Sequence, residues 1–240
     1  MNENAAPAAA ANEAPAPAAT TGEEGNAAAV AQVGETAYTT LEDAFAALSS
    51  SNHALTLLNE STWNAATPVY YKVGATSGYV AKLTDALTAA YKANAGDITI
   101  VCRPGSDLGA MTHGHVADNI TIYGNGAYVS DGECDLEVDT YQYDRNTGKQ
   151  TKDAVTELAG QTITISAYDV ANLGVWGQRT TDATVNVNLT NCDGKDLGTA
   201  NVQRAYISGT SGVNNITLTD CDFITANTAV YSNADGAVAV

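Results

Sequence analysis

Two segments near the start of the chain share one hydrophobic pattern. Leu41, Ala44, Phe45 and Leu48 fall at i, i+3, i+4 and i+7, and Leu83, Ala86, Leu87 and Ala90 repeat that spacing. Each set therefore predicts an amphipathic helix with one buried face. Thr39 and Glu42 stand at capping-box spacing before the first helix, and Gly96 is placed to end the second. The residue order around the helices recurs as well. Val33, Gly34, Tyr38, Leu41, Asp43 and Ala44 line up with Val73, Gly74, Tyr79, Leu83, Asp85 and Ala86. Each copy runs on into a strand-like segment, ALTLL at 54–58 and DITIV at 97–101. The reading is a duplicated strand–helix–strand capping region over residues 30–96.

From residue 97 the pattern changes to short alternating runs. Ile98, Ile120, Ile163, Val185, Ile207 and Val230 are separated by 22, 43, 22, 22 and 23 residues, with no helical segment between them. A fixed period without helices predicts a β-solenoid over 97–240, in which each turn of chain covers its apolar face by stacking on the next. The turn chemistry agrees. In VNLTNCD (187–193) and ITLTDCD (216–222) aliphatics alternate with polar residues up to Asn191 and Asp220, where the parity shifts. Asn and Asp tolerate the left-handed conformation, so each can bend a strand and turn Cys192 or Cys221 inward. Stacked apolar thiols in a core are the plainer reading of that pair; a disulfide or a reactive thiol is the other.

NITIYGNGAYVSDG, starting at Asn119, resembles the strand, Gly-Asn-Gly turn and strand of right-handed parallel β-helix proteins in the pectin-lyase-like superfamily. VNNITLTDCDF at 213–223 is similar to another of their coils, and the Tyr, helix, GDITIV segment resembles the entry to such helices in bacterial surface proteins. The likeness covers roughly residues 30–240 and implies an all-β, right-handed parallel β-helix with N-terminal strand–helix–strand capping units. It implies architecture more than activity, because the superfamily includes polysaccharide lyases, glycoside hydrolases, phage spikes and adhesins. The lyase branch works with an Arg or Lys base beside carboxylate-bound Ca²⁺, and the galacturonase branch with NTD, DD, GHG and RIK motifs. None of those four motifs occurs here. Arg179 and Arg204 are the only arginines among the later coils, beyond the hairpin, and neither follows a compelling acidic cluster.

Composition narrows the partners. The chain has 240 residues with 10 Lys and Arg against 27 Asp and Glu, a formal net charge of -17, so clustered cations for a phosphate backbone or an anionic membrane are lacking. Of 43 Ala, 14 fall in the first 31 residues, leaving Val, Ile, Leu and Tyr to build the folded part. Residues 1–29 read as a disordered Ala/Pro-rich linker. They lack the basic and apolar regions of a secretory signal, and no run of 18 apolar residues predicts a membrane span. The closing run DGAVAV (235–240) follows Val230 and Tyr231 without a helix or polar loop. That end is expected either to continue into further coils or to be covered by end-to-end self-association.

Candidate chemistry is sparse. Asp131, Glu133, Asp135, Glu137 and Asp139 occupy alternate positions of DGECDLEVD and would share one face of a strand, with Cys134, Leu136 and Val138 on the other. The row is either a solvated outer face or a Ca²⁺ site, since Ca²⁺ takes six to eight oxygen ligands. Alternate side chains lie roughly 6.6 Å apart, so sharing an ion needs a bend or a neighbouring strand. The following segment, TYQYDRNTGKQTKD, reads as a hairpin around Asn146-Thr147-Gly148, inside an insertion near 133–158. Tyr141 and Tyr143 share one of its faces, as sugar-stacking candidates or as wall packing. His113 and His115 share a side at i and i+2, but a zinc site wants three or four ligands and His53 is distant in sequence. Arg103 reads as a turn residue with a solvated head or as the guard of a groove.

The expected function is a non-enzymatic, secreted or surface-attached bacterial module, an adhesin or stalk presenting a face to a glycan or protein. A polysaccharide lyase or glycoside hydrolase is the competing expectation. A Ca²⁺-bound acidic row predicts that chelation lowers the melting temperature and that Ca²⁺ restores it, because a ligand held only by the folded chain stabilises by mass action. Unchanged melting at millimolar Ca²⁺ assigns the row to solvent.

Overall fold

The computed structural model describes residues 27–93, 96–111, 113–115, 119–130, 135–138, 143–144, 149–150, 160–177, 182–194, 205–207, 212–223, 230–232, 236 and 238–239. The expected linker lies outside them up to residue 26. The fold is mostly β-strand with two α-helices. Strands β1 (Ala31–Val33) and β2 (Thr36–Tyr38), helix α1 (Leu41–Ala47) and strand β3 (Leu55–Leu57) come first. Strands β4 (Val69–Val73) and β5 (Thr76–Val80), helix α2 (Leu83–Ala93) and strand β6 (Ile98–Cys102) repeat the series.

In both copies the first two strands form an antiparallel hairpin, turned at Gly34 (φ 57°) and Gly74 (φ 54°), where a positive φ suits glycine. The last strand pairs antiparallel with the free edge of the first, giving the orders β2-β1-β3 and β5-β4-β6. The duplicated unit is thus strand, strand, helix, strand, one strand more than the sequence pattern suggests. The additional strands β2 and β5 contain no buried residue, so they leave no alternation to read. The helix cap is displaced by one residue as well. Thr40, not Thr39, caps α1, its Oγ1 accepting from the Asp43 amide at 3.2 Å.

The remaining strands are β7 (His113–His115), β8 (Ile120–Tyr128), β9 (Asp135–Glu137), β10 (Tyr143–Asp144), β11 (Lys149–Gln150), β12 (Thr162–Ala171), β13 (Gly174–Gly177), β14 (Ala183–Thr190), β15 (Ala205–Ile207), β16 (Gly212–Thr219), β17 (Val230–Ser232) and β18 (Val238–Ala239). They build two sheets with parallel pairing. One runs β18-β16-β14-β12-β8-β6 and continues antiparallel into β4 and β5; the other runs β17-β15-β13-β9-β7. Apart from β10 and β11, successive strands after β6 alternate between the two sheets.

The register corrects the spacing argument. Ile98 pairs with Ile120, and Ile163 with Val185, each 22 residues on. Ile120, however, pairs with Ile165, and Val185 with Asn214, whereas Ile207 and Val230 belong to the second sheet. A period alone does not say which sheet a strand joins. The long step is also resolved: β8 pairs directly with β12, and among the described residues β10 and β11 pair with each other alone, so the hairpin is an excursion between neighbouring strands.

One buried cluster draws on both sheets. It takes Ile100, Ile122, Ile165, Val187 and Ile216 from the first, Leu136 and Val175 from the second, and the apolar face of α2 through Leu83, Ala86, Leu87 and Ala90. The helix of the first copy packs elsewhere. Phe45, Leu41 and Ala44 of α1 join Trp63, Tyr70, Val101, Tyr123 and Tyr168 in a second cluster on the opposite, outer face of the large sheet.

Where β8 meets β12, Tyr123 pairs with Tyr168 and Ala127 with Val170, so Gly124, Asn125 and Gly126 face Asp169 alone. A Cβ on Gly124 would sit 2.3 Å from the Asp169 carbonyl oxygen and 2.6 Å from the Val170 Cβ. Gly124→Ala is therefore expected to destabilise by about 3 kcal/mol through backbone overpacking. Gly126→Ala, with open space but φ 77°, should cost only about 1–2 kcal/mol. Urea denaturation of the two variants checks the order, and an equal loss in both would refute the close-approach argument.

Candidate functional site

The first unit is held on the large sheet by a line of polar contacts beside its apolar cluster. Asn125 accepts from the Leu55 amide at 2.8 Å and donates to the Cys102 carbonyl at 2.9 Å, so one side chain ties β3 to β6. His53 stacks on Tyr168 with ring centres 5.0 Å apart, and Tyr168 stacks on Tyr123 at 5.4 Å. The His53 Nε2 lies 3.4 Å from Asp169 Oδ2. Arg103 is neither solvated nor guarding a groove: it pairs with Glu60 and donates from Nε to the Trp63 carbonyl at 3.2 Å, fixing the segment that carries Trp63.

That docking leaves two adjoining clefts which share Glu42. The larger, about 500 Å³, is lined by Trp63, Tyr79, Glu42, Asn64 and the threonines Thr39, Thr40, Thr62 and Thr67. The other, about 420 Å³, lies between α1 and the outer sheet face and is lined by Phe45, Tyr70, Lys72, Ser77, Thr99 and Tyr123. Tyr79 stands over the aromatic floor, 5.9 Å from Trp63 in an edge-on arrangement and 5.1 Å from Tyr70. Tyr79 is 37 % exposed, against 2 % for Trp63. Its hydroxyl donates to Glu42 Oε1 at 3.1 Å, which the one-residue shift of the helix cap makes available. Burial, and then the Glu42 charge, push the Tyr79 phenol well above its ordinary value, so it stays a neutral donor. An exposed aromatic face ringed by hydroxyls, an amide and one carboxylate matches the two chemical faces of a sugar ring.

Beyond the second cleft the outer face of the sheet continues as aligned polar rows. Thr99, Thr121, Ser166, Asn188 and Thr217 form one row across five strands, and Thr164, Asn186 and Asn215 another. Amides link neighbours: Asn215 donates to Asn186 at 2.9 Å, Asn186 to Thr164 at 3.3 Å and Asn188 to Ser166 at 3.4 Å. None of these eight positions carries a charge.

The residues singled out in the sequence are distributed differently. Leu136 and Val138 are buried and Glu137 is partly exposed, so the alternation expected of the acidic row holds there. Asp131, Glu133, Asp139 and Tyr141 lie outside the described residues, as do the side chains of Asp135 and Tyr143. Backbone pairing sets His113 against Asp135 and His115 against Glu137, bringing the histidine pair and the acidic row to adjacent positions. Among the described residues no three His, Cys, Asp or Glu side chains gather to hold a metal ion. Sequence reasoning missed the Tyr79 cleft, although the repeat had already aligned Tyr79 with Tyr38.

Burial pushes the Cys102 thiol up to about 12 and raises the Tyr123 phenol, alongside Tyr79. These groups hold their protons more tightly folded than unfolded, so their contribution is complete below the unfolded values, near 9.0 for Cys and 10.0 for Tyr. It is lost as pH rises toward the folded values. The melting temperature should therefore decline progressively above pH 9, which thermal melts between pH 7 and 11 will check. Constant melting across that range would contradict the assigned burial. In comparisons with known proteins, no family model, no curated protein and no solved structure matches the chain.

Proposed function

We propose that the chain is a right-handed parallel β-helix module of a secreted or surface-attached bacterial protein, and that it binds an uncharged glycan at the Tyr79 clefts without transforming it. The β-helix reading is supported by the alternation of strands between two parallel sheets and the 22-residue offsets of paired strands. Its hand follows from the strong preference of parallel crossovers for the right-handed path.

The observation that carries the binding reading is the partly exposed Tyr79 in the larger cleft, hydrogen-bonded to the Glu42 that both clefts share. Sugar rings present C–H faces that stack on aromatics and hydroxyls that pair with carboxylates, amides and alcohols. Tyr79, seated over the buried Trp63, supplies the first kind of contact, and Glu42, Asn64 and the threonines the second. The net charge of -17 works against anionic polymers such as polyuronates, which favours a neutral ligand. No helix among the described residues is long and apolar enough to cross a membrane.

Titration against neutral and uronate polysaccharides tests the proposal. Saturable binding to a neutral glycan is expected, weakened about tenfold by Tyr79→Ala, a loss of about 1.4 kcal/mol. Retained affinity in a folded Tyr79→Ala protein would remove the cleft as the site. Ca²⁺-dependent release of unsaturated sugars would instead make the protein a lyase.

A further inference from the structure

Asn191 and Asp220 follow the last residues of β14 and β16, both with left-handed backbones at φ 51°. Thr190 and Thr219 are paired, and the register persists beyond them: the Asn191 amide donates to the Thr219 carbonyl at 2.9 Å, and the Gly194 amide to the Asp222 carbonyl at 2.6 Å. Cys192 and Cys221 therefore sit side by side on adjacent stretches of chain. Neighbouring strands lie about 4.8 Å apart, inside the roughly 4.4–6.8 Å between Cα atoms that a disulfide spans.

The two thiols differ in access. Cys192 is fully buried, whereas Cys221 is partly exposed and packs against the edge of the same core. No disulfide joins them in this structure. A hydrogen bond from Cys192 lowers the Cys221 thiol to about 7 and raises Cys192, so the accessible sulfur is the one that becomes thiolate.

We propose that Cys221 and Cys192 form a thiol-modification site, in which Cys221 takes up a small-molecule disulfide and Cys192 resolves the adduct into an intramolecular disulfide. In the first step the Cys221 thiolate attacks one sulfur of R–S–S–R, forming Cys221–S–S–R and expelling R–S⁻. In the second, the Cys192 sulfur attacks the Cys221 sulfur as its proton passes to the departing R–S⁻, which leaves as R–SH. Two protein thiols are oxidised and one external disulfide is reduced to two thiols. The proposal stands apart from glycan binding, since it uses neither cleft.

The test treats the folded full chain with oxidised glutathione, quenches by alkylation and reads peptide masses. The wild type should lose two hydrogens and yield a linked Cys192–Cys221 peptide pair. Cys192→Ala should stop at a stable glutathione adduct on Cys221, and Cys221→Ser should leave Cys192 in its thiol form. Circular dichroism of each variant controls for folding, and the wild-type rate should rise through about pH 7. A persistent adduct on wild-type Cys221, or a native Cys221 left unmodified while Cys102 or Cys134 reacts, would overturn the proposal. Formation of the same linked pair in the wild type only after unfolding would overturn it too.

Discussion

A left-handed residue recurs at one point of four neighbouring strands, and much of the structure depends on it. Asn125, Asp169, Asn191 and Asp220 have φ between 51° and 54° and lie next to one another by register. Each costs its strand an unfavourable backbone region, which Asn and Asp tolerate better than other residues bearing a Cβ. Stacking offsets that cost: Asn191 donates to Asp169, and Asn125 bonds three backbone groups. The same column sets the parity that turns Val170 and Cys192 into the core. It also supplies Asn125 and Asp169 as docking points for the first unit through Leu55 and His53. The two clefts meet at Glu42, in the first turn of the helix α1 that this docking seats on the sheet.

What the sequence made legible was whatever a local pattern determines. Strict alternation in TITISA and TVNVNLT appears as alternating burial in β12 and β14. The parity break at Asn191 and Asp220 is a backbone property of single residues, so two positions sufficed to find it. The duplication was visible because Val33-Gly34 and Val73-Gly74 are the same hairpin turn, where glycine's φ is required.

Partner choice was not legible. An apolar stripe on a helix says that one face is covered, not by what. The stripes of α1 and α2 are alike, yet α2 covers the core between the sheets and α1 covers an outer face. The difference lies in the partner surface, where Tyr70, Val101, Tyr123 and Tyr168 make one row of the outer face aromatic and apolar. Those residues sit at outward positions of strands that look uniformly alternating, so their role emerges only with the register. The Tyr79 cleft shares that origin. It is assembled from β5, α1 and the segment after β3, three pieces that no spacing rule connects.

Charge and order together define what the outer face can hold. A chain of net charge -17 would ordinarily place carboxylates over its exposed surface, yet the polar rows of the large sheet carry none. Long charged side chains on such a face would each surrender about 1–2 kcal/mol of rotamer freedom on being ordered by a ligand. Thr, Ser and Asn have less to lose. The amide links Asn215 to Asn186 to Thr164 also fix their rotamers before any ligand arrives. A surface of this kind gains little from opposite charge and most from a rigid, neutral, hydroxyl-rich partner, whose ordering costs are also already met. The aromatic clefts at one end of the rows would supply the apolar anchor that such a polar array lacks.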